Sequence, residues 1–312
     1  MNANHEQLDF LALCALKGVD WHLLAREAQR PDGLGRLLAG EIVERSKQAA
    51  ALKRLLKDRT ALAAARGRVE SEVEKAARAG AVLVTVLDDD YPINLRLIFN
   101  LPPFLFVRGA LKPVDAFSVA VVGTRGASEE GIKRAQRMAR LLTERGVTVV
   151  SGLARGIDTA AHTAVLESSG RTVAVIGTGI LRTYPKENAE LAERIAATGA
   201  IVSQFWPDAP PTQSSFPMRN VTMSGITQGT VVIEASSTSG AKMQARLALE
   251  HGKRAFLLQS LVTSQPWAQK YLERPGAVEV HDVEDVLGKL RQPSQIQDLS
   301  SARMQLTLSM PS

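Results

Sequence analysis

Residues 149–162 read VVSGLARGIDTAAH. Two valines end an apolar run, small residues follow, and Arg155 stands between Ala154 and Gly156 just before a helix-like TAAH. A guanidinium placed where a strand gives way to a helix meets backbone N–H groups and the positive end of a helix dipole. The chemistry on offer there is anion binding. Two more segments have this texture: GTRGAS at 123–128, which carries Arg125, and GTGI at 177–180. Glycine lets a ligand approach the backbone closely. Gly123, Thr124, Arg125, Ser151, Gly152, Arg155, Gly156, Gly177, Thr178 and Gly179 are therefore candidate phosphate-binding residues. FPMRN at 216–220 adds Arg219 and Asn220 in what reads as a loop, and Ser239 and Gly240 open a helix after VVIEASST. Glu234, at the end of that strand, can hydrogen-bond a ribose hydroxyl, orient an arginine or form a structural pair.

Other chemistries are less well supported. Asp158 and His162 lie four apart on one helical face, a spacing that suits a metal or a proton relay. No third ligand accompanies them, and one cysteine excludes a zinc ribbon, so neither a metal nor a cofactor is expected. Ser151 and Ser239 lack a G-x-S-x-G elbow, which leaves no catalytic candidate. GTRGAS is not a G-x-G-x-x-G dinucleotide fingerprint, and no P-loop motif occurs. Base stacking needs aromatic side chains along a basic track. Phe205, Trp206, Phe216 and Trp267 are candidates, with local packing as the competing role.

The scaffold that must position these residues is legible in the period of the chain. From Phe117 onward strands and helices alternate: FSVAVVG, a helix over 129–145, VTVVSG, a helix over 156–168, TVAVIG, a helix over 187–198, AIVSQ, GTVVIEA, a helix over 240–251, and RAFLLQ. Nearly continuous apolar strands are buried on both faces. The pattern predicts an α/β fold with a doubly wound, mostly parallel Rossmann-like sheet, whose strand ends form the binding rim. AVLVTVL at 81–87 is a further strand. Residues 6–39 read as short helices with Asp20 as an N-cap, and 41–79 as a long amphipathic helix broken near Gly67. The expected organisation is a helical N-terminal region over 1–79, a Rossmann-like domain over 80–290 and a flexible tail over 291–312. In that tail MQLTLSM alternates like a strand able to join a partner's sheet, although coil is the simpler reading.

Bulk properties set bounds. The 312 residues are 45% hydrophobic and 22% charged, as in ordinary globular proteins, and the 4% aromatic content requires an aliphatic core. A formal net charge of +6 is a mild bias toward polyanions. Cys14, the single cysteine, falls in the apolar run FLALCALKG and reads as packed core. No disulfide can form, the start MNANHEQLDF is not a signal peptide, and no apolar run can span a bilayer. A cytoplasmic protein with no membrane partner is expected.

Taken together the motifs resemble the DprA/Smf family of DNA-processing proteins. The residues that carry the resemblance are GTR at 123–125, SGLARGIDTAAH at 151–162, GTGILRTYPKEN at 177–188, FPMRN at 216–220 and IEASSTSG at 233–240. The family's entry to the domain is matched by YPINLRLIFNLPPFLFVRG at 91–109. The likeness covers roughly 85–255. It implies a Rossmann-like domain that binds single-stranded DNA in a basic pocket on the rim, acts as a homodimer and helps to load RecA-type recombinases during natural transformation. Family members are not known as enzymes. By position the pocket would use Arg125, Ser151, Arg155, Gly177, Gly179 and Arg219, with Asn220 holding the loop. Family members share the Asp158–His162 pair, which the resemblance implies is structural, Asp158 capping its helix and His162 hydrogen-bonding nearby backbone.

Departures are visible. The family's RNR becomes Arg219-Asn220-Val221, its SE becomes Ser203-Gln204, and its V-P-G becomes Leu258-Gln259-Ser260. SQPWAQKYLERPGA at 264–277 is unlike the family, and too few residues follow for a winged-helix domain. These differences bear on the dimer and recombinase contacts more than on the pocket, and point to a specialised relative, for instance from a mobile element or an antiphage system. In the altered segment a helix after Pro266 would place Trp267, Lys270 and Tyr271 on one face, either packed on this protein's own sheet or forming an assembly surface. Two other functions fit the rim. One is a nucleotide sensor or nucleotide-cleaving enzyme, although the PGGxGT loop of LOG-like enzymes is missing. The other is an interaction scaffold.

Overall fold

The computed structural model describes residues 3–292, 294–296, 298, 299, 301 and 302. The chain begins with helices α1 (His5–Cys14), α2 (Trp21–Ala28) and α3 (Gly33–Leu38). Asp20 caps α2 by accepting the Leu23 N–H at 2.9 Å. The single long helix expected over 41–79 is two helices, α4 (Lys47–Leu55) and α5 (Arg59–Arg78). The break falls at Leu56–Asp58 and not at Gly67, which lies inside α5. Asp58 causes it: its carboxylate accepts the Ala61 N–H and starts a new helix there.

Strands β1 (Ala81–Thr85) and β2 (Phe104–Gly109), with the short α6 (Ile93–Arg96) between them, lead into the regular part. There follow β3 (Ser118–Val122), α7 (Glu129–Glu144), β4 (Thr148–Ser151), α8 (Ile157–Glu167), β5 (Thr172–Val175), α9 (Ala189–Thr198) and β6 (Ala200–Ser203). After these come α10 (Ser215–Ile226), β7 (Gly229–Val232), α11 (Gly240–Glu250), β8 (Arg254–Leu258), α12 (Gln259–Ser264), α13 (Pro266–Leu272), β9 (Ala277–Val280) and α14 (Val283–Leu287). The nine strands form one sheet in the order β1-β2-β6-β5-β4-β3-β7-β8-β9. β1 and β2 are antiparallel to their neighbours, and the rest of the sheet is parallel.

The central strands are buried on both faces. Val119 and Val121 of β3 pack with Ala135, Leu142 and Ile157 under α7 and α8. Ala120 and Val122 of the same strand join the opposite core, which continues through Met223 and Ala245 to Phe104, Phe106 and the N-terminal helices at Phe10 and Leu24. Trp21 and Trp206 both stack against Phe104, at 5.0 Å between centroids. The chain winds outward from β3 to β6, then crosses back to place β7 on the other side of β3. That reversal opens a crevice at the carboxyl ends of β3 and β7.

Beyond β9, the Gln228 side chain pairs with the Arg291 backbone through its amide nitrogen and oxygen, at 2.9 and 2.7 Å. Residues 294–296 are helical and Ile296 is buried, where polar composition predicted a loose tail. The strand considered for MQLTLSM lies outside the described residues.

Candidate anion-binding site

At the crevice between β3 and β7 lies an open cavity of about 400 Å³. Val122–Arg125 form one wall, Ser236 and Ser239–Ala241 at the start of α11 another, and Phe216, Arg219, Asn220 and Met223 of α10 the floor and side. A smaller hollow of about 50 Å³ adjoins it, shares Arg125, Phe216 and Arg219, and extends to Gly152, Arg155, Gly177 and Tyr184.

Arg219 is the buried cation of this site, only 6% exposed. It sits on α10 and not in a loop, as its Pro- and Gly-flanked sequence suggested. Pro217 falls in the first turn, where proline is tolerated. One Nη donates to the Val175 carbonyl at 3.3 Å and lies 4.0 Å from Asp158 Oδ2, too far for a tight ion pair. Its buried Nε has no partner among the described residues. Burial pulls the Arg219 pKa below its ordinary value, Asp158 opposes this, and neighbouring Arg125 adds to it. Burial likewise pushes the Asp158 carboxyl up, against Arg219 and the Ala154 and Gly152 N–H groups. The guanidinium remains charged because its intrinsic pKa is so high.

Arg125 is exposed and forms no ion pair among the described residues. Its guanidinium lies 5.2 Å from the centre of the Phe216 ring. Two guanidinium groups thus flank one cavity, one with hydrogen-bonding capacity to spare. An anion between them would relieve their repulsion and take up those donors. Arg155, by contrast, is exposed and held in a bidentate pair with Glu187, at 2.5 and 2.6 Å.

The other expected site residues divide into those that face the cavity and those that build it. Gly123, Thr124, Asn220, Ser239 and Gly240 line it. Ser151 does not present its hydroxyl to the rim: it is buried and donates to the Val121 carbonyl at 2.7 Å. Thr178 is also buried and donates to the Arg182 carbonyl. The Gly177 carbonyl accepts the Ser215 hydroxyl at 2.6 Å and so ties the β5 end to α10. Gly179 lies beneath the Trp206 and Pro207 carbonyls.

The close approach that glycine permits here is made largely by the protein itself. A Cβ on Gly152 would fall 1.3 Å from Arg219 Nη1, so Gly152 is what allows Arg219 to cross the end of β4. Gly156 has φ +72°, a conformation favouring glycine, and packs against the Thr124 and Arg125 carbonyls. Rim N–H groups are likewise engaged internally. Thr124 donates to the Glu234 carbonyl at 2.7 Å, and Gly152 and Ala154 donate to Asp158. The side chains, more than the backbone turns, are what remain for a ligand.

Asp158 therefore clamps the preceding loop instead of capping its own helix. His162 bonds to a side chain and not to backbone: its Nδ1 lies 2.7 Å from Thr172 Oγ1, whose proton goes to the Val149 carbonyl. Glu234 is structural, accepting the Ser128 hydroxyl at 2.7 Å at the start of α7.

Of the aromatics, only Phe216 reaches the cavity. Phe205 and Trp267 are buried, and Trp206 packs on Trp21 and Phe104. Tyr184, 45% exposed and 5.8 Å from the Phe216 ring centre, was missed, although YPKEN contains it. Asn188 was missed too. Its amide donates to the Leu153 carbonyl and to Thr159 Oγ1, both at 2.9 Å, and holds the SGLARG loop, where Leu153 has φ +58°. The Gln204 departure is accommodated by α10, since its side-chain oxygen accepts the Thr222 hydroxyl in a buried position.

A doubly wound sheet with a cationic cavity at its reversal point defines a Rossmann-like domain with a candidate ligand site. Comparison with known proteins narrows this. Residues 82–291 match the model of the DNA recombination-mediator protein A family, and the chain belongs to that family, the DprA/Smf proteins. It is 38% identical over 212 residues to protein Smf of Escherichia coli, covering 67% of this chain and 56% of that protein. The chain thus spans little more than half the length of that relative. The X-ray structure of DNA processing protein A from Streptococcus pneumoniae superposes with a TM-score of 0.75 at 28% identity, over 94% of this chain and all of that one. DNA processing protein A from Helicobacter pylori, whose structure was determined for its single-stranded DNA binding mode, shares the fold. Its TM-score is 0.59 at 24% identity, over 70% of this chain and 96% of that one. Among the described residues no helix is long and apolar enough to cross a membrane.

Proposed function

We propose that the cavity at the β3–β7 crevice binds the sugar–phosphate backbone of single-stranded DNA, and that the protein thereby assists DNA processing and recombination. The observation that carries this is the pairing of buried, incompletely bonded Arg219 with exposed, unpaired Arg125 across one cavity. Phosphate is the anion of the right charge and acceptor number for two such groups. Phe216 and Tyr184 beside it offer ring surface to bases, which suits a single strand whose bases are unstacked. Family membership supports DNA as the polymer, and the Helicobacter relative, described as binding single-stranded DNA, supports the single strand. The remaining lining residues, Gly123, Thr124, Asn220, Ser239 and Gly240, shape the wall, with Gly152, Gly156, Gly177, Gly179 and Asp158 as its support. No catalytic step is assigned to them.

The test is Arg125→Ala. Loss of one charge-assisted phosphate contact should weaken oligothymidylate binding roughly 10- to 150-fold. Thermal stability should hold, because Arg125 is exposed. Unchanged affinity with an intact fold would remove the cavity from the DNA path.

A further inference from the structure

Helix α7 starts directly after the Arg125 loop and carries charge that its own folding does not need. Its inward face, Ala135, Met138, Ala139 and Leu142, is buried against the sheet. Its outward face exposes Lys133, Arg134, Arg137 and Arg140 within about two turns. Lys133 is paired with Glu130 at 3.1 Å, whereas Arg134, Arg137 and Arg140 form no ion pair among the described residues. Lys133 and Arg137 are four apart, and Arg134–Arg137 and Arg137–Arg140 are three apart. Like charges at these spacings destabilise a helix. A face kept merely soluble would interleave carboxylates with the cations. Lys133 and Arg140 also border a groove of about 500 Å³ between α7 and α8, where Gln136 and Ser168 add hydrogen-bonding groups and Glu167 is the single acid.

We infer that the outer face of α7 is a second polyanion-binding surface, which continues the path of single-stranded DNA away from the rim. This rests on the reading of the rim cavity as a DNA site. Two features support it. The charge of Arg134, Arg137 and Arg140 is complementary to a phosphate backbone, and the Arg125–Ser128 turn that borders the rim leads directly into α7, where Glu129 and Glu130 of the first turn precede the cations. Arg134, Arg137 and Arg140 lie within about 9 Å along the helix axis, at 1.5 Å per residue, so successive phosphates of one strand can meet them. Long, multiply donating guanidinium groups suit such contacts without reading base sequence.

The test uses the full chain and the Arg134→Gln/Arg137→Gln/Arg140→Gln variant, with a short oligothymidylate that fills only the rim and a long one that runs past it. Affinity is measured across a salt series by fluorescence anisotropy. For the long strand the variant should lose about 2 in the slope of log K against log salt, near 0.7 for each phosphate contact removed. For the short strand it should match the parent. Equal slopes for parent and variant on the long strand would overturn the α7 path while leaving the rim intact. Equal loss on both lengths would also overturn it, since the effect would then be a general field. If the parent binds neither length, the rim reading falls and this inference falls with it.

Discussion

On the proposed DNA-binding reading, Glu187 would compete with a phosphate for Arg155. The two exposed side chains form a bidentate pair, and each must exchange its partner if Arg155 is to meet a phosphate. Glu187→Gln leaves the loop its Asn188 anchor but removes the competing charge. Strand affinity should rise a few-fold at low salt, measured by the same titration, and the gain should shrink as salt screens the pair. A fall in affinity would mean that Glu187 positions Arg155 for binding. His162 is the other residue with a readable consequence. Burial and the nearby Arg219 push its pKa down to about 3. The Thr172 hydroxyl proton is used on Val149, so Thr172 accepts from an Nδ1–H tautomer, and the buried Nε2 has nothing to receive a second proton's bond. A folded pKa below the unfolded value near 6.5 means that only the unfolded state gains a proton between those pH values. Stability from this residue is full above pH 6.5 and is lost as pH falls toward 3, at up to about 1.4 kcal/mol per pH unit. Denaturant unfolding at pH 7, 6 and 5 should show a shallower decline in His162→Gln. Parallel slopes would remove His162 from the acid response.

The element with the least expected role is α13. The sequence predicted a helix after Pro266 that is either packed on the protein's own sheet or an assembly surface; α13 starts there, and Trp267, 7% exposed, packs inward. Its indole donates to the Ala235 carbonyl at 3.3 Å, and Lys242 Nζ lies 5.7 Å from the ring centre. The segment that departs most from the family therefore braces the end of β7 and the start of α11, the wall of the cavity, from behind. Trp267→Ala should cost about 3–5 kcal/mol of stability and lower the melting temperature. An unchanged melting temperature together with a smaller assembled mass would restore the surface role. α10 illustrates what sequence could not show. FPMRN and MSGITQG look like loop because proline and glycine punctuate them. Yet Pro217 sits in the first turn, and Gly225 packs where a Cβ would strike Leu95. Local propensity is overridden by tertiary packing, and Arg219 ends up on a buried helix.

At the scale of the molecule, the alternation of apolar strands with helices made the parallel sheet and its rim legible, because strands buried on both faces leave a distinctive run of valines. The positions of Gly123, Arg125, Arg219, Ser239 and Gly240 around one crevice follow from strand order, and the motifs predicted that much. What the glycines accommodate was not legible. Whether the space beside Gly152 holds a ligand or an arginine depends on a helix dozens of residues further along. The same holds for the rim hydroxyls of Ser151 and Thr178, which turn inward to backbone carbonyls. The net charge of +6 is modest, so the proposed binding rests on where cations are placed more than on their number. The most direct test of a single-strand site is an anisotropy titration of the full chain at moderate salt against an oligothymidylate, a duplex of equal length and a mononucleotide. The account predicts tightest binding to the single strand, falling steeply with salt as counterions are released. Equal affinity for duplex and single strand, or binding of the mononucleotide alone, would contradict it.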